Sequence, residues 1–247
     1  MKIVFFLLLY ILSLEAIITI APVKLGEKPG FSGVVEGSFQ TKRGNTEKDE
    51  YTAGLKMQYD NNESYLIWSD VIGTYGEANG VRNTNKTYAH IRFVHDITHG
   101  IDWETFIQSE TNEFTKVERK RLAGLGVRFN YEHDTWGVFY LGLGGFYEYI
   151  AYTDPLLDPT ENNARVNSYI AYVKTFDSGH SFAYVAYYQP RFDAFGDYIS
   201  SQAVELKLHI IETLYLKFKI YYDVDTKPAV GVEETDFTQI TSFTYEF

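Results

Sequence analysis

The sequence predicts an all-β fold: a closed antiparallel transmembrane β-barrel of about twelve strands in meander order. Three observations carry this expectation. Hydrophobicity has a period of two from Phe31 onward, the connections alternate between tight and long, and the N-terminus opens with a short apolar run.

Composition narrows the classes first. The 247 residues are 45% hydrophobic and 22% charged, which excludes a disordered chain. Aromatics reach 17%, with 21 Tyr and 18 Phe, a bias toward residues that favour strands. Cysteine is absent, so neither disulfides nor thiolate metal chemistry is available. The net charge of −11 argues against nucleic acid as a partner, since phosphate backbones need a basic surface.

At the N-terminus, Lys2 precedes the apolar run Ile3 to Leu12 and the segment Ser13-Leu14-Glu15-Ala16. This is the layout of a secretory signal over residues 1–16, cleaved after Ala16. The run is too short to span a bilayer, which takes about 20 residues. Residues 17–30 then form a periplasmic N-terminal segment ahead of the barrel, 31–247. A chain spanning a membrane without such helices must close its sheet, because lipid offers no water to an open strand edge.

Each strand is read from alternation. Tyr51, Ala53, Leu55, Met57 and Tyr59 alternate with polar neighbours, as do Ala123, Leu125, Val127, Phe129 and Tyr131. Val204, Leu206, Leu208 and Ile210, then Leu214, Leu216, Phe218, Ile220 and Tyr222, repeat the pattern. The expected strands are 31–41, 48–60, 64–76, 85–97, 101–114, 119–133, 136–151, 163–177, 181–193, 196–210, 213–224 and 236–247. Their length suits tilted membrane strands better than the five or six residues usual in soluble sheets.

Tight turns are expected at Asn61-Asn62-Glu63, Thr98-His99-Gly100, Asp134-Thr135, Ser178-Gly179-His180 and Ile211-Glu212. Longer loops are expected from Lys42 to Thr46, Glu77 to Thr84, Thr153 to Asn162 and Asp225 to Thr235. That asymmetry is typical of outer-membrane barrels and puts both termini on the periplasmic side. Trp68, Trp103 and Trp136 each follow a tight turn, where an interfacial aromatic belt would lie. Phe243, Tyr245 and Phe247 alternate on the last strand and resemble the assembly signal read by the barrel-assembly machinery.

Alternation alone does not say which face meets lipid. Export signal, strand length, loop asymmetry and the terminal Phe favour the apolar face outward. The polar faces then line the lumen, with Lys56, Arg92, Arg128, Glu132, Glu205, Lys207, Lys217 and Lys219 as candidates and Glu205 expected near Lys217 or Lys219. Two readings stay open at this level: a channel whose charges tune selectivity, and a salt-bridged plug.

No catalytic set converges. His180-Ser181, His95-Asp96 and His133-Asp134 are neighbours on strands or turns, and adjacent strand residues point to opposite faces. The histidines lack zinc-site spacing, and Asp154, Asp158 and Glu161 lack the regular oxygen spacing of a calcium loop. Neither metal nor cofactor is expected.

Gly33 to Tyr59, with Gly44-Asn45-Thr46 in the first loop, resembles the start of the salt-induced outer-membrane proteins, a bacterial family of unknown function. Trp103-Glu104-Thr105-Phe106-Ile107-Gln108, then Asn112, Phe114 and Arg121-Leu122-Ala123-Gly124-Leu125-Gly126, resemble that family's middle. The resemblance implies an outer-membrane barrel and brings no catalytic residues. The expected protein is a monomer in contact with outer-membrane lipid and lipopolysaccharide. It passes ions or small solutes or serves the envelope under osmotic stress. A non-conducting structural or adhesive barrel is the alternative, followed by an envelope hydrolase.

Overall fold

The computed structural model describes residues 22–26, 28–42, 48–78 and 81–247. The expected signal peptide lies outside the described residues. Twelve antiparallel strands form one closed barrel: β1 (Gly30–Lys42), β2 (Lys48–Asp60), β3 (Tyr65–Ala78), β4 (Val81–Thr98), β5 (Ile101–Asn112), β6 (Val117–His133), β7 (Gly137–Tyr152), β8 (Glu161–Thr175), β9 (Ser181–Pro190), β10 (Tyr198–Ile211), β11 (Leu214–Asp225) and β12 (Thr235–Glu246). Each strand pairs with its sequence neighbours, and β1 closes on β12 through Val34–Gly37 against Phe243–Glu246. Reciprocal backbone hydrogen bonds between Gly33 and Phe247 extend the seam.

The burial pattern settles which face is inside. On β6 Leu125 is 69% exposed while Arg128 is 1% exposed. The same division runs round the wall: Val35, Val71, Ile91, Ile107, Leu143, Ile170 and Phe243 face out, and the buried set is rich in Asp, Glu, Arg and Asn. A barrel in water would reverse this arrangement, because apolar side chains gain by leaving water and charges lose.

Tight turns gather at the end where β1 begins and β12 finishes, called here the turn end. Asn61 Oδ1 accepts from the amides of Glu63, Ser64 and Tyr65, and Asp60 Oδ1 from that of Asn62. These side chains satisfy the turn's amides without further length. At the opposite, loop end, the expected asymmetry is only partly present. The connections 153–160, 191–197 and 226–234 are long. The expected loop from Glu77 to Thr84 is instead mostly strand: β3 runs on to Ala78 and β4 starts at Val81. Thr84 and Lys86 are buried there, so this polar stretch pairs as strand with its polar face turned inward.

The expected belt of tryptophans needs one correction. Trp103 and Trp136 are exposed on the outside, whereas Trp68 is 1% exposed inside the barrel. Trp68 shares its parity with Leu66, and both pack on Tyr88 and Val94. Because β3 carries large apolar residues on both faces, its alternation did not reveal which Trp face is inward.

Candidate functional site

The barrel interior is the candidate site. It is built in three levels, each from side chains one strand-step out of phase with the apolar wall.

At the turn end, Asp102 on β5 accepts from Arg128 Nε at 2.9 Å and Nη2 at 2.7 Å, and from Asn130 at 3.1 Å. Arg128 Nη1 also donates to the carbonyl of Val23 at 3.1 Å. Val23 is therefore held against the mouth, and its described neighbours are held with it. Gly26 N donates to Asp60 Oδ2 at 2.6 Å, Lys24 pairs with Glu132 at 2.5 Å and Lys28 with Glu246 at 2.8 Å. Val23 and Leu25 pack against the Leu66–Trp68–Tyr88–Val94 cluster.

The middle level is a belt of charge and aromatic rings. Arg92 on β4 lies 3.2 Å from Glu104 on β5, and the Tyr169 hydroxyl from β8 donates to both Glu104 oxygens at 3.1 and 3.2 Å. The Arg92 guanidinium stacks over Trp68 and Phe106, and His90 stacks on Trp68 at 4.9 Å. Tyr169 lies over Gly142, where a Cβ would meet its ring at 2.0 Å, so the glycine is the space the ring occupies. On the β10–β1 side, Glu36 accepts from Lys217 at 2.8 Å, Lys219 at 3.4 Å and Ser242 at 2.8 Å. Lys219 also approaches Glu205 at 3.8 Å, and nearer the turn end Lys207 pairs with Glu246 at 2.7 Å.

Toward the loop end, Glu148 pairs with Arg165 at 2.5 Å and Lys120 at 3.4 Å, and Arg165 reaches Asp197 at 3.0 Å. A cavity of about 50 Å³ lies between this level and the belt, lined among others by His90, Arg92, Lys120, Tyr187 and Ser201. At roughly 10–15 Å³ of such volume per molecule, it has room for a few waters. Above it, the β11–β12 loop reaches across the mouth. Val230 N donates to Asp158 on the β7–β8 loop at 2.9 Å, and its carbonyl accepts from Lys116 between β5 and β6. In the barrel's strand order, β5 and β6 stand opposite β11 and β12. Ala229 packs beneath this crossing with Ile150, Tyr152, Val117 and Val232.

The eight residues singled out from sequence are thus accounted for. Arg92, Arg128 and Lys217 are buried inside; Lys56, Glu205, Lys207 and Lys219 are half-buried there; Glu132 is exposed at the turn-end mouth. Lys56 lies over the Trp68 ring at 4.9 Å. The expected Glu205–Lys219 proximity is found, whereas Lys217 turns to Glu36 instead, which lies across the seam on β1.

Glu36, Glu148, Arg165 and Tyr169 were missed. The signal for three of them was a charge inside an apolar alternation, as in Tyr147-Glu148-Tyr149 or Val35-Glu36-Gly37. Tyr169 carried no such signal.

The adjacent His pairs do not assemble a reactive centre. His180 Nδ1 accepts from the His209 amide, His133 Nδ1 from that of Thr135, and His95 stacks on Phe93 and meets Trp103 edge-on. Asp154 accepts from the Leu156 amide, and Glu161 from the Tyr152 hydroxyl and the Asn163 amide group, so these acids stabilise their own surroundings. Among the described residues no cluster of His and carboxylates is placed to hold a metal ion.

The family described as protein of unknown function, DUF481, matches residues 35–247. The chain belongs to this family. No curated protein matches the chain. Among solved structures, it is similar to an outer-membrane channel from Pseudomonas putida F1, with 9% identity, TM-score 0.54, and 92% and 97% of the two chains covered. It is also similar to the translocator domain of autotransporter NalP from Neisseria meningitidis, with 9% identity, TM-score 0.50, and 89% and 88% covered. At such identities the DUF481 chain shares the outer-membrane barrel fold with these proteins.

Proposed function

We propose that this chain is an integral barrel of the bacterial outer membrane, exported by its N-terminal segment, that rests shut and passes ions or small solutes when its ends are displaced. The observation that carries the reading is a filled, charged interior inside an apolar wall. Arg92, Glu104 and Tyr169 are 4%, 1% and 2% exposed, so among the described residues side chains fill the barrel at this level. The contacts at the two ends are reversible: ion pairs and hydrogen bonds hold Val23–Gly26 at one mouth and Val230 at the other.

In this reading Lys56, Arg92, Arg128, Glu132, Glu205, Lys207, Lys217 and Lys219 set selectivity once the passage opens. Outer-membrane lipid and lipopolysaccharide surround a monomer. The barrel-assembly machinery reads Phe243 and Tyr245 on the last strand and Phe247 just past it, all three exposed. The resemblance to salt-induced outer-membrane proteins supports a role under osmotic stress.

Planar-bilayer conductance of the refolded mature protein, beside a variant lacking residues 17–28, tests the proposal. The mature protein is expected to open rarely and the shortened one to give frequent discrete steps. If both stay silent while heat-shifted gel mobility shows them folded, the passage reading falls. The structural barrel then stands, which the ion pair of Arg92 with Glu104 and the Tyr169 hydrogen bonds to it favour.

A further inference from the structure

We infer that Arg119 and Arg121 bind the phosphate group of an anionic lipid on the outer wall of the barrel, just below the loop end. The inference rests on the membrane reading above. Both arginines are exposed. They share the outward parity of Ala123 and Leu125, and stand directly above that apolar stripe.

A β-bulge makes the pair. The register of β6 against β7 shifts between Val117 and Arg119, so that Val117 faces Tyr152 and Arg119 faces Ala151, with Glu118 as the extra residue. Val117 consequently packs inward with Ile150, Tyr152 and Ala229. Without the extra residue Val117 and Arg119 would lie on one face; with it, the wall ends in two guanidinium groups while the apolar side chain is kept inside. Bulges of this kind re-aim side chains.

Glu118, next to Arg119 in the bulge, is the nearest exposed carboxylate and the one the arginines leave unpaired. Arg121 is flanked across the rungs by Ser109 and Tyr149. Beyond Ser109, Thr111 and Thr87 share a hydrogen bond at 2.7 Å. Glu113 is taken by Arg82 at 2.7 Å and by Asn85, and those hydrogen bonds hold its carboxyl below the usual glutamate value. Glu148 is inside, held by Lys120 and Arg165. Glu118 makes no ion pair with either arginine, and neither arginine has one with any described residue.

An arginine on a lipid-facing wall is costly at the bilayer centre and nearly free at the interface. This places the two residues at headgroup depth. There the group that faces them is a lipid headgroup, whose acyl chains lie along Ile107, Leu125 and Tyr147 below. Paired guanidinium forks suit a phosphate, and best a phosphomonoester, which carries close to two negative charges.

Native mass spectrometry of the folded protein, released from neutral detergent, tests this with phosphatidic acid as probe and phosphatidylcholine as control. The native chain is expected to take up phosphatidic acid saturably and in preference to phosphatidylcholine. R119Q and R121Q should each weaken that uptake about fivefold, and together about thirtyfold, leaving phosphatidylcholine adducts unchanged. No preference in the native chain, or preference retained in the double variant, overturns the inference. So does displacement of the lipid by equal inorganic phosphate, which would make this a site for the free anion. Failure to insert into phosphatidylcholine vesicles at all would instead sink the membrane reading, and is measured separately.

Discussion

Glu104 illustrates what the interior asks of single residues. Its carboxylate is enclosed by the Arg92 guanidinium and the Tyr169 hydroxyl, so removing it strands a buried cation. Glu104→Ala is expected to cost about 3–5 kcal/mol, and the double change Arg92→Met with Glu104→Met far less, because no charge is then left unpaired. Urea unfolding in lipid vesicles measures both, and a cost under about 1 kcal/mol for the single change would mean water reaches Arg92. Gly142→Ala sets a methyl against the Tyr169 ring and is expected to cost about 1–3 kcal/mol. Most of that loss should vanish in a Tyr169→Ala background. Outside the wall, hydrogen bonds from Arg191 hold Asp193 below the ordinary aspartate value of 3.8. The pairing is therefore present above that value and lost as pH falls through the depressed one. An NMR titration of Asp193 should show a low midpoint that Arg191→Gln returns to the ordinary range.

Among elements, the seam between β1 and β12 is short, and the last residue completes it. Phe247 exchanges backbone hydrogen bonds with Gly33 in both directions, and its ring covers Gly33 so closely that a Cβ there would lie 2.4 Å away. Deleting Phe247, or changing Gly33→Val, is expected to lower the fraction reaching the heat-shifted form during refolding, with little change in spectroscopic strand content. An undiminished folded fraction in both would show that closure does not depend on this corner. The β11–β12 loop is the other element with a task of its own. Its crossing depends on Lys116, whose Nζ donates to the Val230 carbonyl, and on Asp158.

For the whole molecule, the charge layout makes a directional prediction. Lys217 and Lys219 converge on Glu36, and the three together dominate one side of the bore. In the variant lacking residues 17–28, Lys217→Ala with Lys219→Ala should move the reversal potential toward cation selectivity, and Glu36→Gln should move it the opposite way. Two shifts of the same sign would remove this cluster from the conducting path. The mixed signs of the other levels agree with a barrel that balances charge internally, since unpaired buried charge is costly in a wall surrounded by lipid.

How much could be read without coordinates follows from these particulars. Strand number, order and most boundaries were legible because a period of two, punctuated by turn residues, is a local property of the chain: Asn61-Asn62-Glu63 and Gly100 mark their turns whatever lies across the barrel. The parity of charged residues against the apolar wall is local for the same reason. Trp68 was not legible, since both faces of β3 are apolar and parity alone gives two faces without saying which is inside. Nor were Glu36 with Lys217, Glu104 with Tyr169, or Val230 with Lys116, all far apart in sequence. Those pairs exist only because closure sets β1 beside β12 and loops from opposite walls over one mouth. The sequence by itself therefore determined the strands and which residues share a face. Tertiary structure alone decided which distant residues meet and that the inside is filled, because burial and distance across a closed sheet are not local quantities.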